Sequence, residues 1–178
     1  EMLRQNTRQI SAIWELLIKK SFETKELAAE VASYYAARKD FRQGNSVWRQ
    51  VNCQKSPSDC SGPIFNGGFE TAPLATPFDW TVPAAASIDG SGPRSGQRSL
   101  HIKFDGQANL DWTGPEQTVV LDAGRYEASW HLKTENLTTN EGIRLRVFDA
   151  GAPARLDQFS ESVTGPTGWT HRTLRFVV

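Results

Sequence analysis

The chain has 178 residues, 38% of them apolar and 22% charged, a balance that excludes a disordered polymer and leaves room to bury roughly two thirds of the unfolded surface. No apolar run approaches the ~20 residues that a membrane span requires. Twenty Lys and Arg against twenty Asp and Glu give zero formal net charge, which argues against nucleic acid as a partner, because phosphate binding normally leaves a basic patch or an extreme pI.

Composition changes along the chain. Up to about residue 55 there are ten basic and six acidic residues and a single glycine; beyond it come ten basic and fourteen acidic residues and nearly all the Gly and Pro. The first stretch, 1–55, reads as helical, and the last, 63–178, as short strands separated by turn residues, with a linker at 56–62. The expected class is therefore α+β with the two parts segregated. The chain opens at Glu1, not Met, and reads as a piece of a longer protein.

Ile10, Ile13, Trp14, Leu17 and Ile18 recur at the spacing that puts apolar side chains on one face of a helix. Leu27, Val31, Tyr34 and Tyr35 repeat that pattern after a Thr24 cap, and Phe41, Gly44, Val47, Trp48 and Val51 repeat it after an Asp40 cap. The spacing thus predicts three helices. Trp14 and Trp48, Ile13 and Val47, Leu17 and Val51, and Gln9 and Gln43 each stand 34 residues apart, the tetratricopeptide period. The run Ala32 to Trp48 resembles that repeat: Tyr35 is the aromatic of its first helix, Phe41 the aromatic opening the second, Gly44 the small packing residue and Trp48 the late aromatic. Ala32 and Val51 depart from the pattern. The resemblance implies about one and a half repeats and a protein partner bound through a groove; the plainer alternative is that the helices cap or orient the β domain.

Cys53 and Cys60 are the only cysteines. A disulfide between them would close a ring of about eight residues, for which the chain-entropy relation gives roughly 2 to 2.5 kcal/mol. Free thiols or half a metal site are the alternatives, although neither a CxxC spacing nor a nearby His supports zinc. A disulfide points to an oxidising compartment, the periplasm or the cell exterior.

From Pro63 onward the expected strands are 64–70, 78–82, 99–104, 117–122, 125–134, 143–149, 156–163 and 169–178. Alternation turns Leu100, Ile102 and Phe104, Tyr126, Ala128, Trp130 and Leu132, Ile143, Leu145 and Val147, and Leu174, Phe176 and Val178 inward. His101, Lys103, His131, Lys133, Arg144, Arg146 and Phe148 then face outward. The loop from Asp89 to Gly96 is glycine-rich, but a strand comes after it where a phosphate cradle needs a helix, so nucleotide binding is rejected.

Five motifs occur in order: Asn66-Gly67-Gly68-Phe69-Glu70, Phe78-Asp79-Trp80, Ser95 to Ile102, Gly124 to Trp130, and Gly165-Pro166-Thr167-Gly168-Trp169. Together they resemble the jelly-roll carbohydrate-binding modules of the cellulose- and xylan-binding type, with a galactose-binding-like antiparallel β-sandwich. The resemblance implies a non-catalytic glycan binder, shortened at its C-terminus because the usual Asp-bearing last strand is missing. It also implies a structural calcium drawing on Glu70 and the Ser95-Gly96 turn, against the alternative of Glu70 as a solvated strand end.

Sugars stack their apolar faces on aromatic rings while planar polar side chains pair with hydroxyls. Asn109, Asp111 and Trp112 form the best local match, with a loop-covering core role as the alternative for Trp112; Trp80 and Trp130 are expected in the core. The outward row of His101, His131, Arg144 and Arg146 forms either the floor of a cleft suited to acidic sugars or a merely solvated sheet face. No nucleophile elbow, Cys/His pair or HExxH helix is present, and no enzyme is expected. His101, His131 and His171 fall on separate strands without a metal-site spacing, so no metal ligand is assigned. The combined expectation is a polysaccharide-binding protein of bacterial cell-surface or exopolysaccharide assembly, with a protein-interaction scaffold as the alternative.

Overall fold

The computed structural model describes residues 2–55, 57–74, 76–104, 114–138 and 141–178, and the side chains of all of these but 2–7, 55 and 59. Three α-helices precede small antiparallel sheets, an α+β arrangement. The chain divides into two compact units, Glu1–Val120 and Leu121–Val178.

In the first unit α1 is Met2–Lys19, α2 is Lys25–Ala37 and α3 is Phe41–Lys55. Thr24 Oγ1 accepts the Leu27 N–H at 3.1 Å and Asp40 Oδ1 accepts the Gln43 N–H at 3.3 Å, so both expected caps hold their helix starts. Ala28, Ala29, Ala32 and Ala36 line the buried face of α2. Their small side chains let α3 come close, and Gly44 marks the closest approach: a Cβ there would stand 2.9 Å from the Ala32 carbonyl and 2.7 Å from the Phe78 ring. Trp14, Tyr35, Val47, Trp48 and Val51 complete the helical core, and Phe65 and Phe78 enter it from the following segment. The composition boundary at 56–62 therefore ends the helices without ending the core they belong to. Ile13 departs from the expected face and is 57% exposed, whereas Val47, its counterpart 34 residues later, is enclosed in the core.

The expected disulfide joins Cys53 near the end of α3 to Cys60, which closes a 3-10 turn at Pro57–Cys60.

Residues 64–70 are not a strand. Asn66 and Phe69 have positive φ, 48° and 59°, and turn the chain back on itself. The Asn66 carboxamide closes that turn by donating to the Thr71 carbonyl at 2.9 Å and accepting the Thr71 N–H at 3.2 Å. Residues 78–82 form only a single bridge, Thr81 to Glu116, and residues 117–122 form no strand. Instead the Gln117 side chain donates to Phe65 O and accepts from Phe65 N, both at 2.9 Å. The regular strands of this unit are β1, Ala86–Asp89, and β2, Ser99–Ile102, paired antiparallel. β1 lies outside the expected strands, and Phe104, expected inward, is 38% exposed beyond the end of β2.

The second unit is built on a long antiparallel pair, β3 (Arg125–Thr134) and β6 (Thr167–Val177), in register from Arg125 opposite Val177 to His131 opposite His171, with an irregularity between Leu132 and Thr134. Burial alternates along β3 and, from Thr170 onward, along β6 with the expected parity. Tyr126 stacks on Phe176 at 5.7 Å. Val178, expected inward, is 44% exposed just past the end of β6. β4 (Arg146–Phe148) and β5 (Asp157–Phe159) form a second ribbon, extended by a bridge between Ile143 and Val163.

Candidate functional site

Antiparallel pairing sets Arg146 opposite Phe159 and Phe148 opposite Asp157. Directly paired residues share a sheet face, and so do residues two apart, so these four side chains and that of Arg144 lie together. All five are exposed. The Arg146 guanidinium forms a two-pronged bond with Asp157, Nε to Oδ1 at 2.7 Å and Nη2 to Oδ2 at 2.9 Å. It also lies 4.7 Å from the Phe148 ring centre and 5.3 Å from that of Phe159, and the Arg144 guanidinium is 4.4 Å above Phe159. Hydrogen bonding to Arg146 holds the Asp157 carboxyl below its ordinary range, and the same bond raises the Arg146 guanidinium. The result is a solvent-facing platform of two rings, two guanidiniums and a carboxylate acceptor. Chemically it offers apolar ring surface, a hydroxyl acceptor and cations for a carboxylate.

Alternation places Arg144, Arg146 and Phe148 outward, as the structure does. Asp157 and Phe159 carry no comparable sequence signal, because only the register of β4 on β5 brings them to the same face.

The other anticipated residues are distributed. His101 lies on β2 in the first unit, its Nδ1 3.6 Å from Asp89 Oδ2, beyond hydrogen-bond length. Asp89 is held by the Ser91 N–H at 2.8 Å and the Ser87 hydroxyl at 2.9 Å. His131 lies on β3 in the second unit and faces His171 across the strand pair, ring centres 4.8 Å apart. Asn109, Asp111 and Trp112 fall outside the described residues. Trp80 and Trp130 are half-buried, not sealed in a core as expected.

Glu70 is clipped to a loop. Its carboxylate accepts the Gln97 N–H at 3.1 Å and the Arg98 N–H at 3.5 Å. It presses on Gly96, whose φ of 70° and lack of a side chain make room for it. N–H donors around a carboxylate repel a cation, and calcium wants six to eight oxygens. Among the described residues no three His, Cys, Asp or Glu side chains converge. The groups at Glu70 do not fit calcium.

In the first unit, Arg42, Asn45, Ser46, Arg49 and Gln50 on α3 line an open depression of about 710 Å³ beside the Cys53–Cys60 bridge. Arg49 is committed there to the main chain, donating to the carbonyls of Cys60 at 3.0 Å and Gly62 at 3.2 Å, so this depression serves first to tie α3 to the cystine turn.

Set against known protein families, curated proteins and solved structures, the chain matches none.

Proposed function

We propose that the protein is a non-catalytic polysaccharide-binding module carried on tetratricopeptide-like helices, and that the β4–β5 platform is its sugar-contacting surface. The observation that carries this reading is the Phe148, Phe159, Arg146 and Asp157 constellation, exposed on one sheet face and pre-set by the guanidinium–carboxylate fork. Ring faces take the apolar side of a pyranose, the Asp157 carboxylate accepts hydrogen bonds donated by hydroxyls, and Arg144 pairs with the carboxylate of an acidic sugar. The order of the five sequence motifs supports a galactose-binding-like module over 63–178, of which the described residues form three two-stranded antiparallel ribbons. The disulfide fits work outside the reducing cytoplasm, in the bacterial periplasm or at the cell surface during exopolysaccharide assembly.

Binding to an array of neutral and uronate-containing polysaccharides, followed by calorimetry with Phe159→Ala and Arg144→Ala, tests it. We expect Phe159→Ala to weaken binding about tenfold, the equivalent of about 1.4 kcal/mol. Arg144→Ala should weaken uronate binding selectively. Wild-type protein that binds no glycan would sink the reading.

The exposed apolar side chains of Ile13 and Leu16 on α1, 57% and 56% exposed, favour a second role, protein–protein contact through the helices. A scaffold that binds protein alone is the outcome if the glycan test fails.

A further inference from the structure

We propose that His131 and His171 form a two-imidazole chelate for a borderline divalent transition-metal ion, copper(II) foremost. The two residues are direct partners in the β3–β6 register, with Ser129 opposite Thr173 on one side and Leu132 opposite Thr170 on the other. Cross-strand partners project from the same sheet face with Cβ atoms about 5 Å apart, and here the ring centres are 4.8 Å apart at 42°. An ion with metal–nitrogen bonds of about 2 Å is spanned by two imidazoles at that separation after small side-chain rotations. Both rings are exposed, so entry needs no opening of the fold. The scaffold is firm, because this is the longest strand pair among the described residues, closed at its far end by the mutual hydrogen bonds of Gly124 and Val178.

Two ion pairs stand on the same strand pair. The next residue outward on β3, Lys133, is paired with Glu135 at 2.5 Å, and Glu127 with Arg175 at 2.8 Å. Among the described residues no third His, Cys, Asp or Glu joins the pair, so the protein supplies two ligands and water completes the coordination sphere. Neutral imidazoles select copper, nickel and zinc over magnesium or calcium, and copper(II) stands highest in the affinity order. Such an ion keeps exchangeable positions toward solvent. This assignment is independent of the glycan reading, since it uses a different ribbon of the same unit.

The test uses the tag-free, metal-stripped chain, titrated with copper(II) supplied as its glycine complex, then with zinc and nickel chlorides. Trp169, two residues before His171 on β6 and 41% exposed, provides a fluorescence readout through copper quenching, and paramagnetic resonance reports nitrogen ligation. We expect one copper per chain, nitrogen coupling in the spectrum, weaker zinc and nickel binding, and loss of affinity by at least about tenfold in His131→Asn and in His171→Asn. His101→Asn should bind as the wild type does. Gln versions of both variants, checked by circular dichroism, separate ligand loss from misfolding. Copper binding that survives the double substitution, or that is lost with His101 instead, would overturn the proposal.

Discussion

The indole N–H of Trp80 donates to the main-chain carbonyl of Asn66 at 3.1 Å, and its ring sits 5.0 Å from that of Phe69. Asn66 is itself nearly fully buried, with φ of 48° and both ends of its carboxamide spent on Thr71. One residue therefore sets the turn, caps it and anchors a tryptophan. Asn66→Ala removes two part-buried hydrogen bonds and puts a methyl-bearing residue in the left-handed region, a cost of about 2–3 kcal/mol in denaturant unfolding. Asn66→Gly keeps the backbone freedom and loses only the hydrogen bonds, so it should be the milder change. Equal losses would mean that backbone strain plays no part.

Gly44 is a case where helix propensity and packing oppose each other. Alanine in a helix interior is favoured over glycine by about 1 kcal/mol. At this position the added methyl meets the Ala32 carbonyl, which is backbone and cannot rotate away, and the buried Phe78 ring. Packing should win, and Gly44→Ala should destabilise by about 1–3 kcal/mol. Because part of the clash is with Phe78, the Gly44→Ala/Phe78→Leu pair should be non-additive, the double change costing less than the two single costs together.

The Cys53–Cys60 bridge spans a sequence separation of seven. Constraining so short a ring in the unfolded chain is worth about 2.5 kcal/mol by loop entropy. Cys53→Ser/Cys60→Ser should unfold at correspondingly lower denaturant, and dithiothreitol should shift the wild type but leave the double variant unmoved. The bridge also fixes the Cys60 carbonyl that Arg49 holds, so Arg49→Ala should cost less in the double variant than in the wild type.

The helices are legible in the sequence because their causes are local: the caps at Thr24 and Asp40, the 3.6-residue apolar rows and a run without breakers. Ile13 defeats such reasoning because its exposure depends on the neighbours of α1, which no spacing encodes. Asn66-Gly67-Gly68 defeats it because an apolar run bounded by glycines looks the same whether it continues as a strand or folds into left-handed turns. β1 leaves no sequence signal, since Ala86, Ser87 and Asp89 carry little strand preference and owe their conformation to pairing with β2. Alternation alone turns Arg144 and Arg146 toward solvent correctly. Which acid and which ring they meet, and which histidine faces His131, are facts of register between strands far apart in the chain.

Asp89 predicts a pH signature. Its carboxyl is lowered from an ordinary value of 3.8 to about 2, first by the Ser91 N–H and hydroxyl, then by the Ser87 hydroxyl, with His101 adding a smaller electrostatic pull. The folded value lies below the unfolded one, so the group's contribution to stability is present in full above about pH 4 and is lost as the pH falls through about 2. Asn in its place cannot titrate. Melting temperatures measured from about pH 6 down to 2 should therefore fall more steeply for the wild type than for Asp89→Asn, and the two curves should approach each other at the acid end. Asp157 is also lowered, by its fork with Arg146, so the remaining slope in Asp89→Asn should flatten further in Asp89→Asn/Asp157→Asn. Parallel curves for wild type and Asp89→Asn would show that the Ser87 and Ser91 contacts do not favour the ionised carboxylate in the folded chain.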